Sequence, residues 1–141
     1  MYSLKTSASF DSAHFLAGYD GKCANLHGHR WTIEVRIGGA DLKNEGQERG
    51  MLTDFGVLKK AVRELADRFD HALIYEAGSL RERTLDALRE ERFCLIEVPF
   101  RPTAENFAKH FADLLTEEGL PVRSVTVWET PDNCAEYEAE S

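Results

Sequence analysis

The stretch WTIEVRIGG at residues 31–39 decides the fold, because apolar and polar side chains alternate along it. An extended chain places its apolar side chains on one side, and these are Trp31, Ile33, Val35 and Ile37. A period of two residues is typical of a half-buried β-strand, so we predict a strand from Trp31 to Ile37 that the following glycines terminate. The similar pattern from Tyr2 to Phe10 predicts a second strand.

Two segments have the three- and four-residue spacing of amphipathic helices. The first follows Asp54, a favourable N-cap, and its apolar residues are Phe55, Leu58, Val62, Leu65 and Phe69. The second follows Pro102, with Thr103 as N-cap and an end near Gly119, and its inward residues are Phe107, Phe111, Leu114 and Leu115. Each helix has one apolar stripe that we expect to pack on a sheet.

The remaining segments are less regular. Residues 80–92 are charge-rich and mildly helical, and residues 93–98 fit either a strand or an extended connection. Residues 122–130 alternate again and predict a strand that carries Glu129 at its end. We therefore predict an α+β fold in which about four strands carry helices on one face, with sheet edges that can pair with another subunit.

The composition is that of one globular domain, which we assign to residues 1–141. A formal net charge of -8 argues against a nucleic-acid-binding surface, so any anionic substrate has to be held locally. We expect a cytoplasmic location without membrane association, because no signal sequence or long apolar span is recognisable. The three cysteines are scattered and give no disulfide framework.

Three histidines lie at the ends of the first two predicted strands: His14 follows the first, and His27 and His29 enter the second. Two residues apart on a strand, His27 and His29 project to the same face, and Gly28 between them permits close backbone approach. Three neutral imidazoles bind zinc and leave one coordination position open. An HxH pair alone can also serve only strand hydrogen bonds, but His14 favours a metal site.

The other polar residues each have two possible interpretations. Cys23 is either a fourth metal ligand of a closed structural site or a general base outside the metal's coordination sphere. Asp70 and His71 follow the first helix and could form a proton relay, or merely a turn residue and a surface histidine. Glu129 and Thr103 could likewise be only a strand-end carboxylate and a helix cap.

Six sequence blocks together resemble one known family. They are FDSAH at residues 10–14, CANLHGH at 23–29, TDFGVLK at 53–59, DH at 70–71, PTAEN at 102–106 and WET at 128–130. In this order they are similar to the 6-pyruvoyl-/6-carboxytetrahydropterin synthase family over almost the whole chain. A match of six ordered blocks is far more specific than any single histidine pair.

The resemblance implies a role for each candidate residue. The zinc ligands would be His14, His27 and His29, and Cys23 would be the catalytic base rather than a ligand. Asp70 and His71 would complete the proton-transfer set. The pterin ring would be anchored by Glu129, with support from Thr103 and Glu105 in the PTAEN block.

The resemblance also implies the tunnelling fold, an antiparallel four-stranded sheet with two helices on one face that oligomerises into a β-barrel. Hexamers built from two trimers, with sites at subunit interfaces, are common in that fold. The implied substrate is 7,8-dihydroneopterin triphosphate. Only three residues separate Cys23 from His27, as in the carboxy branch, which releases acetaldehyde and triphosphate and feeds queuosine synthesis.

Two alternatives remain open at this point, namely the pyruvoyl-forming phosphate lyase and a non-catalytic zinc-stabilised oligomerisation module. The chain also departs from the commonest family pattern at Ser12, at Arg30 and in the charged segment before Pro102. These departures leave the histidines intact and concern contacts with the substrate's tail.

Overall fold

The computed structural model describes residues 1–140, which form a six-stranded sheet with three α-helices. The strands are β1 (Tyr2–His14), β2 (His27–Gly39), β3 (Ala72–Glu76), β4 (Leu95–Val98), β5 (Val122–Trp128) and β6 (Cys134–Glu138). The helices are α1 (Phe55–Phe69), α2 (Glu82–Glu90) and α3 (Ala104–Glu117), and a short 3₁₀ turn covers Lys22–Ala24. The predicted α+β class is confirmed.

The sheet has the strand order β4-β3-β1-β2-β5-β6. Its centre is the long antiparallel pair of β1 and β2, whose register runs from Tyr2 opposite Gly39 to His14 opposite His27. β5 and β6 extend the sheet antiparallel on one side, whereas β3 and β4 add to the other side in parallel.

One face of the sheet is covered by α1 and α3, which pack mainly on β1 and β5 respectively. Each helix has the predicted N-cap: the Asp54 carboxylate accepts a hydrogen bond from the Gly56 N–H at 2.7 Å, and Thr103 Oγ1 accepts one from the Asn106 N–H at 3.2 Å. The core between helices and sheet holds the alternating residues of β2 that the sequence placed on one side. The two predicted helices are confirmed, and so are their buried faces except at Phe55, which is exposed, and Leu114, which is only partly buried.

The predicted antiparallel sheet of four strands with two helices is wrong, because residues 72–98 form a β3-α2-β4 unit. Parallel strands cannot be joined by a tight turn, and α2 provides the crossover that returns the chain to the same end of the sheet. β3 and β4 have only five and four residues, too few for a periodic pattern to stand out in the sequence. The segment left open at residues 93–98 contains β4.

β6 was also missed. Its sequence CAEYE is mostly polar, since it lies at the edge of the sheet and only Ala135 and Tyr137 pack against the core. Charged side chains on an edge strand discourage uncontrolled pairing with other chains.

The first two strands extend past their predicted ends. β1 continues from Phe10 to His14, and β2 begins at His27 rather than Trp31, because the two strands keep pairing throughout this region. His14 is therefore the last residue of its strand and not a loop residue after it.

Phe111 is the test of this packing. Its ring stacks on Phe107 at 5.5 Å and meets Phe69 edge-on at 5.1 Å between ring centroids, so both helices contact it. We expect Phe111→Ala to lower the free energy of unfolding by about 3–5 kcal/mol, the scale for emptying a buried aromatic site. The control is Phe55→Ala at a side chain that is 55% exposed, with an expected change below about 0.5 kcal/mol in chemical denaturation. Similar costs for both variants would contradict the packing.

Candidate active site

The ends of β1 and β2 bring three imidazoles together. His14 lies opposite His27 in the strand register, and His29 lies opposite Ser12, so all three side chains share the helix-covered face. Their ring centroids are 4.6–5.1 Å apart. A side chain at Gly28 would meet the Ser12 carbonyl oxygen at 3.3 Å, which agrees with a glycine that allows close strand approach here.

Backbone carbonyls orient two of the rings. His14 Nδ1 is 2.7 Å from the Pro102 carbonyl oxygen, and His27 Nδ1 is 2.6 Å from the Asn25 carbonyl oxygen. Since a carbonyl only accepts, each Nδ1 carries the proton and each Nε2 keeps a free lone pair. This is the arrangement that metal-binding histidines need.

Burial favours the neutral form of two of these histidines, His14 and His29. His14 is 1% exposed, and burial lowers its pKa to about 4 despite the opposing hydrogen bond to Pro102. Burial also lowers the pKa of His29, against the opposing effect of the nearby Glu129 carboxylate. Trp31 packs edge-on against His14 and His29 at 4.9 and 5.3 Å, so the hydrophobic core directly supports the site.

The geometry fits a metal ion. The potential ligand atoms of His14, His27 and His29 all lie within 4.8 Å of one another. Nε2 of His14 and of His29 are buried without a hydrogen-bond partner, which is costly unless another group satisfies them. Three nitrogen donors with an open side are the donor set of catalytic zinc sites.

Among residues 1–140, the group of neighbouring ligand atoms does not include the thiol of Cys23. It lies in the 3₁₀ turn of the loop between β1 and β2, where its carbonyl accepts a hydrogen bond from the Leu16 N–H at 2.9 Å. The thiol is half-buried.

Asp70 and His71 form a hydrogen-bonded pair that is tied to β1. One Asp70 oxygen accepts from the Asp11 N–H at 2.8 Å and the other lies 2.8 Å from His71 Nδ1. The hydrogen bond from Asp11 is the larger cause that lowers the pKa of Asp70, and the one from His71 is the next. His71 has the left-handed φ of 55°, and its N–H donates to the Asp11 carbonyl at 2.6 Å. The pair is therefore held against the strand that ends in His14.

Glu129 directly follows β5, and its carboxylate lies beside His29. Its Oε1 lies 3.5 Å from His29 Nε2, and its side chain is 32% exposed. It lines a cleft of about 510 Å³, which we call the Glu129 cleft, formed by His29, Arg30, Thr32, Trp128, Glu129, Thr130 and Pro131. A cleft of that volume holds a small molecule.

A second cleft, of about 690 Å³, lies beside His71 and is called the His71 cleft. The rest of its lining is largely apolar, with Leu26, Leu73, Leu88, Phe93 and Leu95, and its polar residues are Asp11, Ser12, His29, Arg30 and His71. The sequence did not predict this cleft, because β3, α2 and β4 supply part of its lining.

Thr103 and Glu105 lie at the start of α3. Thr103 caps the helix, and Glu105 is an exposed residue of its first turn. Among residues 1–140, neither residue lines the Glu129 cleft or the His71 cleft. The PTAEN block reaches the histidines instead through the Pro102 carbonyl, a contact that residue types alone did not indicate.

Comparisons with known proteins identify the family of this chain. The sequence model of the 6-pyruvoyl tetrahydropterin synthase family matches residues 3–140. The 6-carboxy-5,6,7,8-tetrahydropterin synthase of Haemophilus influenzae is 40% identical over 141 residues, covering 98% of this chain and 99% of the relative. The Synechocystis protein of the same name is 33% identical over 139 residues, covering 97% and 93% respectively.

Solved structures share the fold. An uncharacterized protein from Wolinella succinogenes superposes with a TM-score of 0.82 at 22% identity, covering 99% of this chain and 98% of that one. A variant of Plasmodium vivax 6-pyruvoyltetrahydropterin synthase superposes with a TM-score of 0.69 at 21% identity, with the same coverage. No helix within residues 1–140 is both long and apolar enough to cross a membrane.

The buried histidine generates a pH prediction for the metal-free protein. In the unfolded chain the His14 imidazole takes up a proton below about 6.5, whereas in the folded protein it stays neutral until about 4. The unfolded state therefore binds more protons in that interval, and the free energy of unfolding should fall as the pH drops through it. Denaturant unfolding at several pH values should show a shallower slope for His14→Gln. Equal slopes for the two proteins would show that His14 does not titrate as described.

Proposed function

This chain belongs to the 6-pyruvoyl tetrahydropterin synthase family, and on that basis we propose that it is a zinc-dependent lyase of the 6-carboxytetrahydropterin branch. The reaction would convert 7,8-dihydroneopterin triphosphate and water to 6-carboxy-5,6,7,8-tetrahydropterin, acetaldehyde and triphosphate. The product would enter 7-deazaguanine and queuosine synthesis. The observation that carries the carboxy branch is the 40% identity to a relative of that name over nearly the full length of both chains.

His14, His27 and His29 would hold the zinc ion through their ε-nitrogens, since two Nδ1 atoms are engaged by carbonyls. Bound zinc would act as a Lewis acid that polarises the hydroxyl groups of the substrate's side chain. Neutral imidazoles do not compensate the charge of the ion, so this donor set suits catalysis better than a closed structural site.

The protein's own side chains would move the protons. Cys23 would be the base that takes a proton from the substrate's side chain, as the family resemblance implies. His71, oriented by Asp70, would exchange protons at a second position. The support for this pair is its double anchorage to the Asp11 backbone, which fixes the imidazole relative to β1.

Glu129 would anchor the pterin ring. A carboxylate can accept two parallel hydrogen bonds from the ring's amino group and the adjacent N–H. Its position in a cleft that also contains His29 supports this role, because a ring held there lies next to the metal ligands. Thr103 and Glu105 would contribute to the pterin pocket only in the assembled protein, since they lie outside both clefts of the single chain.

We propose that the chain forms a homo-oligomer, with a β-barrel and a hexamer of two trimers as the expected form. Short edge strands at β4 and β6 leave backbone groups that can pair with a second copy. One catalytic domain spanning residues 1–141 and a cytoplasmic location complete the assignment.

The direct test is product analysis. Purified, zinc-loaded protein would be incubated with 7,8-dihydroneopterin triphosphate, and the pterin product would be identified by mass spectrometry. We expect the 6-carboxy product and acetaldehyde. A pyruvoyl product would instead indicate the phosphate-lyase branch, and an absence of conversion together with tightly held zinc would indicate an oligomerisation module. The His27→Ala, His29→Ala double variant provides the control, because it should lose the zinc as well.

A substitution of Cys23 distinguishes a catalytic role of its thiol from a structural role as a zinc ligand. If the thiol is a base outside the metal site, Cys23→Ala should keep its zinc content and melting temperature, while turnover falls by about a hundredfold or more. A fourth ligand would behave in the opposite way, since its removal costs metal affinity and folding free energy together. Cys94→Ala is the matched control at an exposed thiol and should retain activity. Near-normal turnover of Cys23→Ala would exclude the base role.

A further inference from the structure

The Glu129 cleft and the His71 cleft meet at two neighbouring residues, His29 and Arg30, which line both of them. Strand alternation sends these side chains in opposite directions. His29 joins the other histidines on the helix-covered face, and Arg30 projects from the opposite face of β2. Arg30 thus stands between the carboxylate proposed to hold the pterin and the imidazole proposed to move protons.

Arg30 is the one lysine or arginine that lines either cleft, within the part of the chain that the structure describes. The protein has a net charge of -8, so an anionic ligand entering these clefts meets few cations apart from this guanidinium. Arg30 departs from the commonest family pattern, and the proposed mechanism gives it no role.

The guanidinium is available for a ligand. Its side chain is 70% exposed and contacts Asp11 through Nη1 alone, at 3.2 and 3.4 Å from the two carboxylate oxygens. This is not the parallel two-nitrogen geometry of a strong arginine–carboxylate pair. An exposed ion pair of this kind contributes about 0–1 kcal/mol, so a more highly charged anion can replace Asp11 at little cost.

We propose that Arg30 binds the triphosphate group of the substrate and so determines specificity for the triphosphate over phosphate-free pterins. This inference rests on the proposed function, because it assumes a pterin triphosphate in these clefts. Arginine offers donors in a planar fork that matches two phosphate oxygens, which a lysine ammonium cannot do. Glu129, His29 and Arg30 line the same cleft, so a ring held by Glu129 and a phosphate tail held by Arg30 can occupy one continuous space.

The test measures binding rather than turnover. Zinc-loaded wild type, Arg30→Gln and Arg30→Lys would be titrated calorimetrically with inorganic tripolyphosphate and, separately, with phosphate-free 7,8-dihydroneopterin. Zinc content would be checked after each titration, because tripolyphosphate can chelate metal. Arg36→Gln is the matched control: Arg36 lies on the same strand and face, about 20 Å further along.

We expect Arg30→Gln to weaken tripolyphosphate binding about tenfold or more and to change dihydroneopterin binding less than about twofold. Arg30→Lys should be intermediate, and Arg36→Gln should resemble wild type. Unchanged tripolyphosphate binding in Arg30→Gln, or an equal loss for both probes, would overturn the inference. The titration does not depend on product formation. A wild-type protein that makes no carboxypterin would therefore refute the proposed function, and the tripolyphosphate titrations would still test the role of Arg30 independently.

Discussion

The antiparallel pairing of β1 with β2 is the constraint on which the rest of the site depends. Side chains alternate between the two faces of a sheet, so shifting one strand by a single residue would move His14 to the face opposite His27. The thirteen residues of each strand pair continuously, and the large side chains of Phe10 and Trp31 must both enter the core. The hydrophobic requirement of the core thereby fixes the register that brings the three imidazoles together.

The same core controls the chemistry of these imidazoles. Trp31 stacks with Phe10 below and meets His14 and His29 edge-on above, so the site rests on a rigid aromatic layer. Burial against this layer favours the neutral ring, and neutrality is the state in which a nitrogen can donate a lone pair. The carbonyls of Asn25 and Pro102 then select which nitrogen remains free. Packing and protonation therefore have one structural origin in the aromatic core, and the loop carbonyls add the orientation of the rings.

The sequence predicted those parts of the molecule that repeat over many residues. α1, α3 and the centres of β1, β2 and β5 each contain enough alternations or helical turns for a pattern to stand out. β3, β4 and β6 have only four or five residues each, and pairing with their neighbours rather than local periodicity defines them. In the candidate site, residue types pointed to His14, His27 and His29, and the family resemblance added the Asp70–His71 pair. The Pro102 carbonyl and the His71 cleft depend on contacts between distant segments, which one sequence does not reveal.

The charges of the site point to a division of labour between the faces of the sheet. On the helix-covered face, three uncharged donors would leave the positive charge of a bound metal largely uncompensated, and the Glu129 carboxylate lies 3.5 Å from one of them. On the opposite face, Arg30 adds a permanent positive charge. The metal site and Arg30 lie in a chain whose net charge of -8 otherwise repels anions. Local positive charges are therefore the main source of affinity for a polyanionic ligand. His29 and Arg30 are adjacent in the sequence, and strand alternation turns their side chains to opposite faces. One ligand that contacts both residues therefore meets both kinds of positive charge.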